Sequence, residues 1–108
     1  MSQGKKKVRQ QFRDACFKRD RYCCVMCGFK STPEKCENEL DAHHIQNRDL
    51  MPNGGYVKEN GISLCAECHI KAEEFHNGRE PPTGFSPWEL FIKIGSSLEK
   101  ATAASQRL

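Results

Sequence analysis

Two Cys-x-x-Cys pairs constrain the fold of this chain more than any other feature. Cys24 and Cys27 form the first pair, and Cys65 and Cys68 form the second. A gap of two residues lets both sulfurs of a pair reach one ion, and two such pairs complete a tetrahedral site. Isolated buried thiols or a redox-active dithiol would not explain why the motif occurs twice. The sequence therefore predicts a structural Zn²⁺ held by four cysteines, with metal binding coupled to folding.

A chain of this length has a small core, which a bound metal would help to stabilise. A chain of 108 residues favours a single domain (1–108), and a hydrophobic content of 37% allows only a modest core. The seven cysteines are an odd number, which argues against a closed set of disulfides. Cys23 is interpreted as a bystander, because Cys24 has the correct gap to Cys27. Cys16 is expected in the core of a helix, and no role is assigned to Cys36.

The N-terminal segment is strongly basic. Residues 1–21 hold eight Lys or Arg and two Asp, although the formal net charge of the whole chain is only +3. Residues 1–7 are predicted to be a disordered basic tail. Apolar positions three and four apart then predict an amphipathic basic helix over 8–21. Basic side chains suit contact with phosphate groups, but charge alone is more typical of a solvated helix face.

The predicted core spans residues 22–76 and consists of two short strands followed by a helix. The strands are expected at 40–45 and 61–64, on either side of a loop rich in turn signals. The helix is expected at 66–76, so that it begins inside the second cysteine pair and includes Cys68. This order places the first residues of the helix beside the predicted zinc site.

A second helix is predicted near the C-terminus, after a linker rich in proline and glycine. Ser86-Pro87-Trp88-Glu89 combines a capping serine, a proline in the first turn and a glutamate three residues on. The pattern predicts a helix over 86–104 that fades after Ala101.

The first residues of the chain carry no secretory signal. Residues 1–11 are polar and basic, without the apolar run of a signal peptide. No segment approaches the ~20 apolar residues that a membrane-spanning helix requires. We therefore expect a cytoplasmic protein with reduced thiols and no membrane contact.

A second group of polar residues lies among the cysteine pairs: His43, His44, Asn60 and His69. His69 follows Cys68 directly, so the zinc site would fix its backbone. Adjacent histidines point to opposite faces of a regular strand, so both serve one site only if the strand twists or ends there. A lone histidine in a strand is usually just a packed or exposed residue. In a cluster, neutral imidazoles can bind a cation or accept a proton from water.

These segments together resemble the HNH endonuclease family, in its cysteine-bearing branch. The similarity covers residues 19–76 and follows the order of the family's motifs. It is carried by Asp41-Ala42-His43-His44-Ile45, Gly54-Gly55, Asn60-Gly61-Ile62-Ser63-Leu64-Cys65 and Cys65-Ala66-Glu67-Cys68-His69. The resemblance implies a small α+β fold with a ββα-metal, treble-clef-like core and a four-cysteine zinc site. The N-terminal and C-terminal helices flank that core.

The resemblance also implies an activity and a role for each motif residue. His43 and His69 would hold one divalent cation, either Mg²⁺, Mn²⁺ or another transition metal. His44 would be the general base that activates water, and Asn60 would orient His44. The implied function is a metal-dependent DNA endonuclease that leaves a 5′-phosphate and a 3′-hydroxyl. One such site nicks one strand, whereas double-strand cleavage needs a homodimer or a larger DNA-processing complex.

Two alternatives stay open at this point. A non-catalytic zinc ribbon that binds nucleic acid or protein would share the cysteines and the basic segment. It would have no reason to keep the four residues His43, His44, Asn60 and His69. The second alternative concerns Glu73, which stands where many relatives carry a further histidine or asparagine. It is interpreted as a solvated carboxylate in preference to a group that supports the metal ligands.

Overall fold

A two-stranded antiparallel sheet forms the centre of the computed structural model, which describes residues 2–108. Strand β1 is Asp41–His44 and strand β2 is Gly61–Leu64. The strands pair with Asp41 opposite Leu64 and His44 opposite Gly61. All four residues of β2 are buried, whereas β1 buries only His43. The sheet therefore carries one histidine into the interior, on the first of the two predicted strands.

Five α-helices are arranged around this sheet within the described residues. They are α1 (Ser2–Arg19), α2 (Cys36–Glu39), α3 (Ala66–His76), α4 (Pro87–Lys93) and α5 (Leu98–Gln106). Three short 3₁₀ turns occupy the loop between the strands: Arg48–Leu50, Pro52–Gly55 and Lys58–Asn60. The predicted strand–loop–strand–helix order is confirmed. None of the helices in residues 2–108 is long and apolar enough to cross a membrane.

Helix α1 packs against the sheet through Phe12, Cys16 and Phe17, all of which are buried. Gly61 makes this approach close, since an added Cβ would lie 2.5 Å from Phe12 Cε1 and nearer still to Cys16 Sγ. The helix also extends further than the sequence predicts. Residues 2–7 are helical instead of a disordered tail, and Met1 lies outside the described residues.

The C-terminal segment forms two helices in place of the single helix predicted over 86–104. The capping box begins α4 as expected, with the Glu89 carboxylate accepting from the Ser86 N–H at 3.3 Å. Gly95 then adopts a positive φ of 68°, a conformation that ends a helix at low cost. Ser97 caps α5 by accepting from the Lys100 N–H at 3.1 Å. The predicted helix is divided because Gly95 ends one helix and Ser97 begins the next, although the apolar pattern continues across them.

Candidate active site and metal centres

The four predicted zinc ligands converge in the structure. Their sulfurs, one from each of Cys24, Cys27, Cys65 and Cys68, all lie within 4.8 Å of one another. The Sγ atoms of Cys27 and Cys65 are 3.6 Å apart. A tetrahedron with Zn–S bonds of about 2.3 Å has sulfurs ~3.8 Å apart, so the observed spacing fits zinc. None of these cysteines forms a disulfide.

Backbone hydrogen bonds lower the pKa of one thiol of the first cysteine pair, that of Cys24. Burial raises the pKa of the Cys24 thiol, but hydrogen bonds from the backbone N–H groups of Cys27, Cys65 and Met26 lower it more, to about 7. Gly28 closes the turn with a φ of 82°. The Val25 N–H donates to the Ser63 carbonyl of β2 at 3.0 Å. This bond fixes the metal centre to the sheet.

The other three cysteines lie outside this cluster. Cys23 is half-buried, and its Sγ lies 3.3 Å from the Arg21 carbonyl oxygen. Cys16 is fully buried on the face of α1 that meets the sheet, and burial raises its pKa to about 12. Cys36 is buried at the start of α2, 3.5 Å from the Pro33 carbonyl oxygen. The structure thus brings together the four cysteines that the two-residue gap predicts as zinc ligands.

A second cluster forms where β1 faces α3, and it contains His43, His69 and Glu73. One ligand atom from each lies within 4.8 Å of the others. Glu73 Oε1 is 3.1 Å from His69 Nε2 and 3.3 Å from His43 Nδ1. His43 Nδ1 is buried and forms no hydrogen bond despite that proximity. A buried nitrogen aimed at an imidazole and a carboxylate, without a hydrogen bond of its own, is the arrangement that a divalent cation would satisfy.

The surroundings orient the His69 ring and keep the His43 imidazole neutral. Asp41 Oδ2 lies 3.1 Å from His69 Nδ1, which leaves Nε2 of the same ring to face Glu73. Burial, followed by the charges of His69 and His76, lowers the pKa of His43 to about 3. His43 is therefore neutral at pH 7, the state in which an imidazole binds a metal. A carboxylate bonded to the far nitrogen of a ligand histidine is common at metal sites.

His44 lies beside this cluster at the last position of β1. It lines the same cleft of about 370 Å³ as His69 and Glu73. Phe12 of α1 stacks on its ring at a centroid distance of 4.5 Å, and Tyr56 meets the ring edge-on at 4.7 Å. Its Nε2 atom is buried without a hydrogen-bond partner. Burial, followed by the nearby Arg48, lowers the pKa of His44 to about 4, so this ring is also neutral at pH 7.

Hydrogen bonds hold the backbone at His44 and directly after it. The carbonyl of His44 accepts from His76 Nε2 at 3.0 Å. Asn60 is fully buried, and its Oδ1 accepts from the Gln46 N–H at 2.9 Å. Its Nδ2 donates to the carbonyl oxygens of Gln46 and Gly55 at 3.1 and 3.2 Å. Asn60 thus fixes the end of β1 and the loop beyond it, and it forms no contact with the cleft itself.

The comparison with known protein families agrees with this arrangement of residues. The family model described as HNH endonuclease matches residues 24–75. The chain contains an HNH endonuclease domain. The four-cysteine cluster places it in the zinc-binding branch of that family. No curated protein and no solved structure matches the chain significantly.

The structure brings two residues to this site that the sequence did not place there. The sequence favoured a solvated carboxylate at Glu73, whereas the structure brings it to His43 and His69, with 41% of its side chain still exposed. Its spacing of four residues from His69 on one helix was the available signal. The second residue is Phe12, which lies outside the matched residues 24–75 and yet packs on His44. A long-range contact of this kind has no local signature in the sequence.

Proposed function

We propose that this protein is a metal-dependent DNA endonuclease. The observation that carries the proposal is the convergence of His43, His69 and Glu73 beside His44. Two imidazole nitrogens and one carboxylate oxygen meet in one place, and the His44 imidazole lines the cleft beside them. A zinc ribbon that only binds nucleic acid or protein needs the four cysteines but neither of these features. The HNH domain supports the same assignment.

The second cluster fits a divalent cation held by two nitrogens and one oxygen. His43 and His69 would bind it as the sequence predicts, and Glu73 would complete the set. Mixed imidazole and carboxylate ligands suit Mn²⁺ or another transition metal and also accept Mg²⁺. A cation bound there would stabilise the charge that develops on the phosphate and on the departing 3′ oxygen.

His44 would serve as the general base. Because its Nε2 atom is buried, Nδ1 is the nitrogen left to take a proton from the attacking water. The ring can do so at neutral pH because it is unprotonated there. Phe12 and Asn60 act through His44: Phe12 holds the plane of its ring, and Asn60 holds the backbone that carries it. Attack by water on phosphorus with loss of the 3′ oxygen leaves a 5′-phosphate and a 3′-hydroxyl.

One site acts on one strand, so we expect a monomer to nick duplex DNA. Cleavage of both strands would need a homodimer or a larger DNA-processing complex that brings two sites together. Reduced cysteines that hold zinc suit the cytoplasm, where we expect the protein to act.

Cleavage of supercoiled plasmid tests the proposal directly. We expect the zinc-loaded protein to convert the plasmid to open-circular or linear DNA with Mg²⁺ or Mn²⁺. His44→Ala should lower the rate by roughly 10²–10⁴-fold, the usual contribution of general-base catalysis. Arg107→Gln, a change on the exposed C-terminal turn, is the matched control and should cleave like the wild type.

Two results would contradict the assignments. Equal rates for His44→Ala and the wild type would show that another group activates the water. If no divalent cation supports cleavage of any DNA by a folded, zinc-loaded protein, the non-catalytic binding module becomes the better explanation.

A further inference from the structure

Tyr56 lies between two arginines beside the candidate active site. Arg48 Nη1 donates to Tyr56 Oη at 2.7 Å, and the Arg9 guanidinium carbon lies 5.7 Å from the centre of the Tyr56 ring. Burial raises the pKa of Tyr56, but the hydrogen bond from Arg48 and the nearby charge of Arg9 lower it below its usual value. One guanidinium group therefore binds the phenol oxygen and the other lies over the ring. We call these three residues the arginine–tyrosine cluster.

The two arginines of this cluster have no acidic partner among the described residues. Three other arginines do: Arg13 with Glu37, Arg19 with Asp20 and Arg79 with Glu74. Arg9 and Arg48 are exposed, and both raise the local positive potential at His44. Two cations held near one phenol without a carboxylate leave an unbalanced charge that an anion would neutralise.

The cluster lies at the point where two grooves meet. One groove of about 300 Å³ is lined by His44, His69 and the whole cluster. It also contains the carboxylates of Glu37 and Asp41, which pair with Arg13 and His69. The next cavity, about 460 Å³, is lined by Lys5, Arg9 and Tyr56. Arg9 and Tyr56 belong to both. The cations Arg48, Arg9 and Lys5, unpaired among the described residues, thus follow one path from the candidate metal cluster to the N-terminal half of α1.

We propose that Arg9 and Arg48, spaced by Tyr56, bind a DNA backbone phosphate next to the cleavage position and align the strand over His44. The choice of ligand rests on the proposed function. The planar guanidinium fork matches phosphate oxygens in geometry as well as in charge. Because Tyr56 also packs on His44, a phosphate bound here is coupled in position to the general base. Helix α1 is then a DNA-binding element of the HNH site, although it lies outside residues 24–75.

Salt-dependent DNA binding tests this inference separately from cleavage. Binding is measured by fluorescence anisotropy with a fluorescein-labelled duplex over a series of NaCl concentrations. All variants are built on His44→Gln, which keeps a side chain between Phe12 and Tyr56 and prevents turnover. We expect Arg9→Gln and Arg48→Gln each to weaken binding and to reduce the slope of log K against log salt by about 1. Arg107→Gln should keep the slope of the parent.

Tyr56→Phe provides a second variant that removes no charge. The ring remains against His44, and only the oxygen that holds Arg48 is lost. We expect weaker DNA binding with an unchanged salt slope. Both arginine variants change exposed side chains, and circular dichroism spectra equal to that of the parent would confirm that they fold.

The outcomes separate this inference from the proposed function. If the arginine slopes equal that of the parent, or if the parent binds no duplex DNA, the phosphate contact is wrong. Reduced slopes support it, even when the wild type cleaves no DNA with any divalent cation. In that case the proposed endonuclease activity is wrong, whereas the phosphate contact of the arginine–tyrosine cluster is supported. Unchanged slopes in a wild type that cleaves would overturn the phosphate contact alone.

Discussion

Glu73 and Glu74 are neighbours on α3 that meet different surroundings. The Glu73 carboxylate lies against the imidazoles of His43 and His69. Glu74 pairs with Arg79 instead. One helix position therefore decides whether a carboxylate belongs to the candidate metal site or to an ion pair with an arginine.

This pair provides a matched test of the third metal ligand. Glu73→Gln keeps the size of the side chain and removes its charge, so we expect Mn²⁺ binding at this site to weaken at least tenfold, as mutations around metal ligands commonly do. Glu74→Gln should bind Mn²⁺ like the wild type. Isothermal titration of zinc-loaded protein with Mn²⁺ measures both. Equal affinities for the two variants would remove Glu73 from the ligand set.

The placement of single residues was largely predictable from the sequence, with specific exceptions. Spacing alone selected Cys24 over Cys23, and the structure keeps Cys23 out of the sulfur cluster. The sequence also predicted that the adjacent residues His43 and His44 lie on opposite faces of a short strand. The role of Glu73 was not predictable, because it depends on how closely α3 lies against β1, a contact between elements far apart in the chain.

Helix α1 shows what packing between elements adds to the site. It carries Phe12 onto His44, and it can do so only because β2 begins with a glycine. The sequence predicted an amphipathic helix here but held no sign of what its apolar face would meet. The C-terminal segment shows the opposite case: Gly95 and Ser97 were visible signals whose local effect outweighed the longer apolar pattern.

Gly61→Ala tests the docking of α1. The new Cβ would collide with Phe12 and Cys16, so we expect a loss of about 1–3 kcal/mol in the free energy of unfolding, typical of overpacking. Gly4→Ala is the control, since a Cβ there meets nothing within 4 Å and alanine favours a helix by up to about 1 kcal/mol. Urea denaturation of both variants measures the difference. A Gly61→Ala protein as stable as Gly4→Ala would show that α1 does not pack closely on the sheet.

The two candidate metal centres are joined through the first turn of α3. Cys68 belongs to the sulfur cluster, and the next residue, His69, belongs to the His43–His69–Glu73 cluster. The same four cysteines tie the first turn after α1 to the end of β2. Zinc bound by the four cysteines would therefore position a candidate ligand of the second centre in addition to holding the elements of a small core together.

Removing zinc should consequently unfold the whole protein. Structural zinc supplies about 10–16 kcal/mol in zinc-finger peptides, which equals or exceeds the roughly 5–15 kcal/mol net stability of a typical domain. We expect a strong chelator to abolish the helical circular dichroism signal and to release one Zn²⁺ per chain. Alkylation followed by mass spectrometry gives an independent readout: the loaded protein should react first at half-buried Cys23, and the chelated protein at all seven cysteines. An unchanged spectrum after zinc release, or Cys27 reacting as fast as Cys23 before it, would show that the sulfur cluster does not hold the fold.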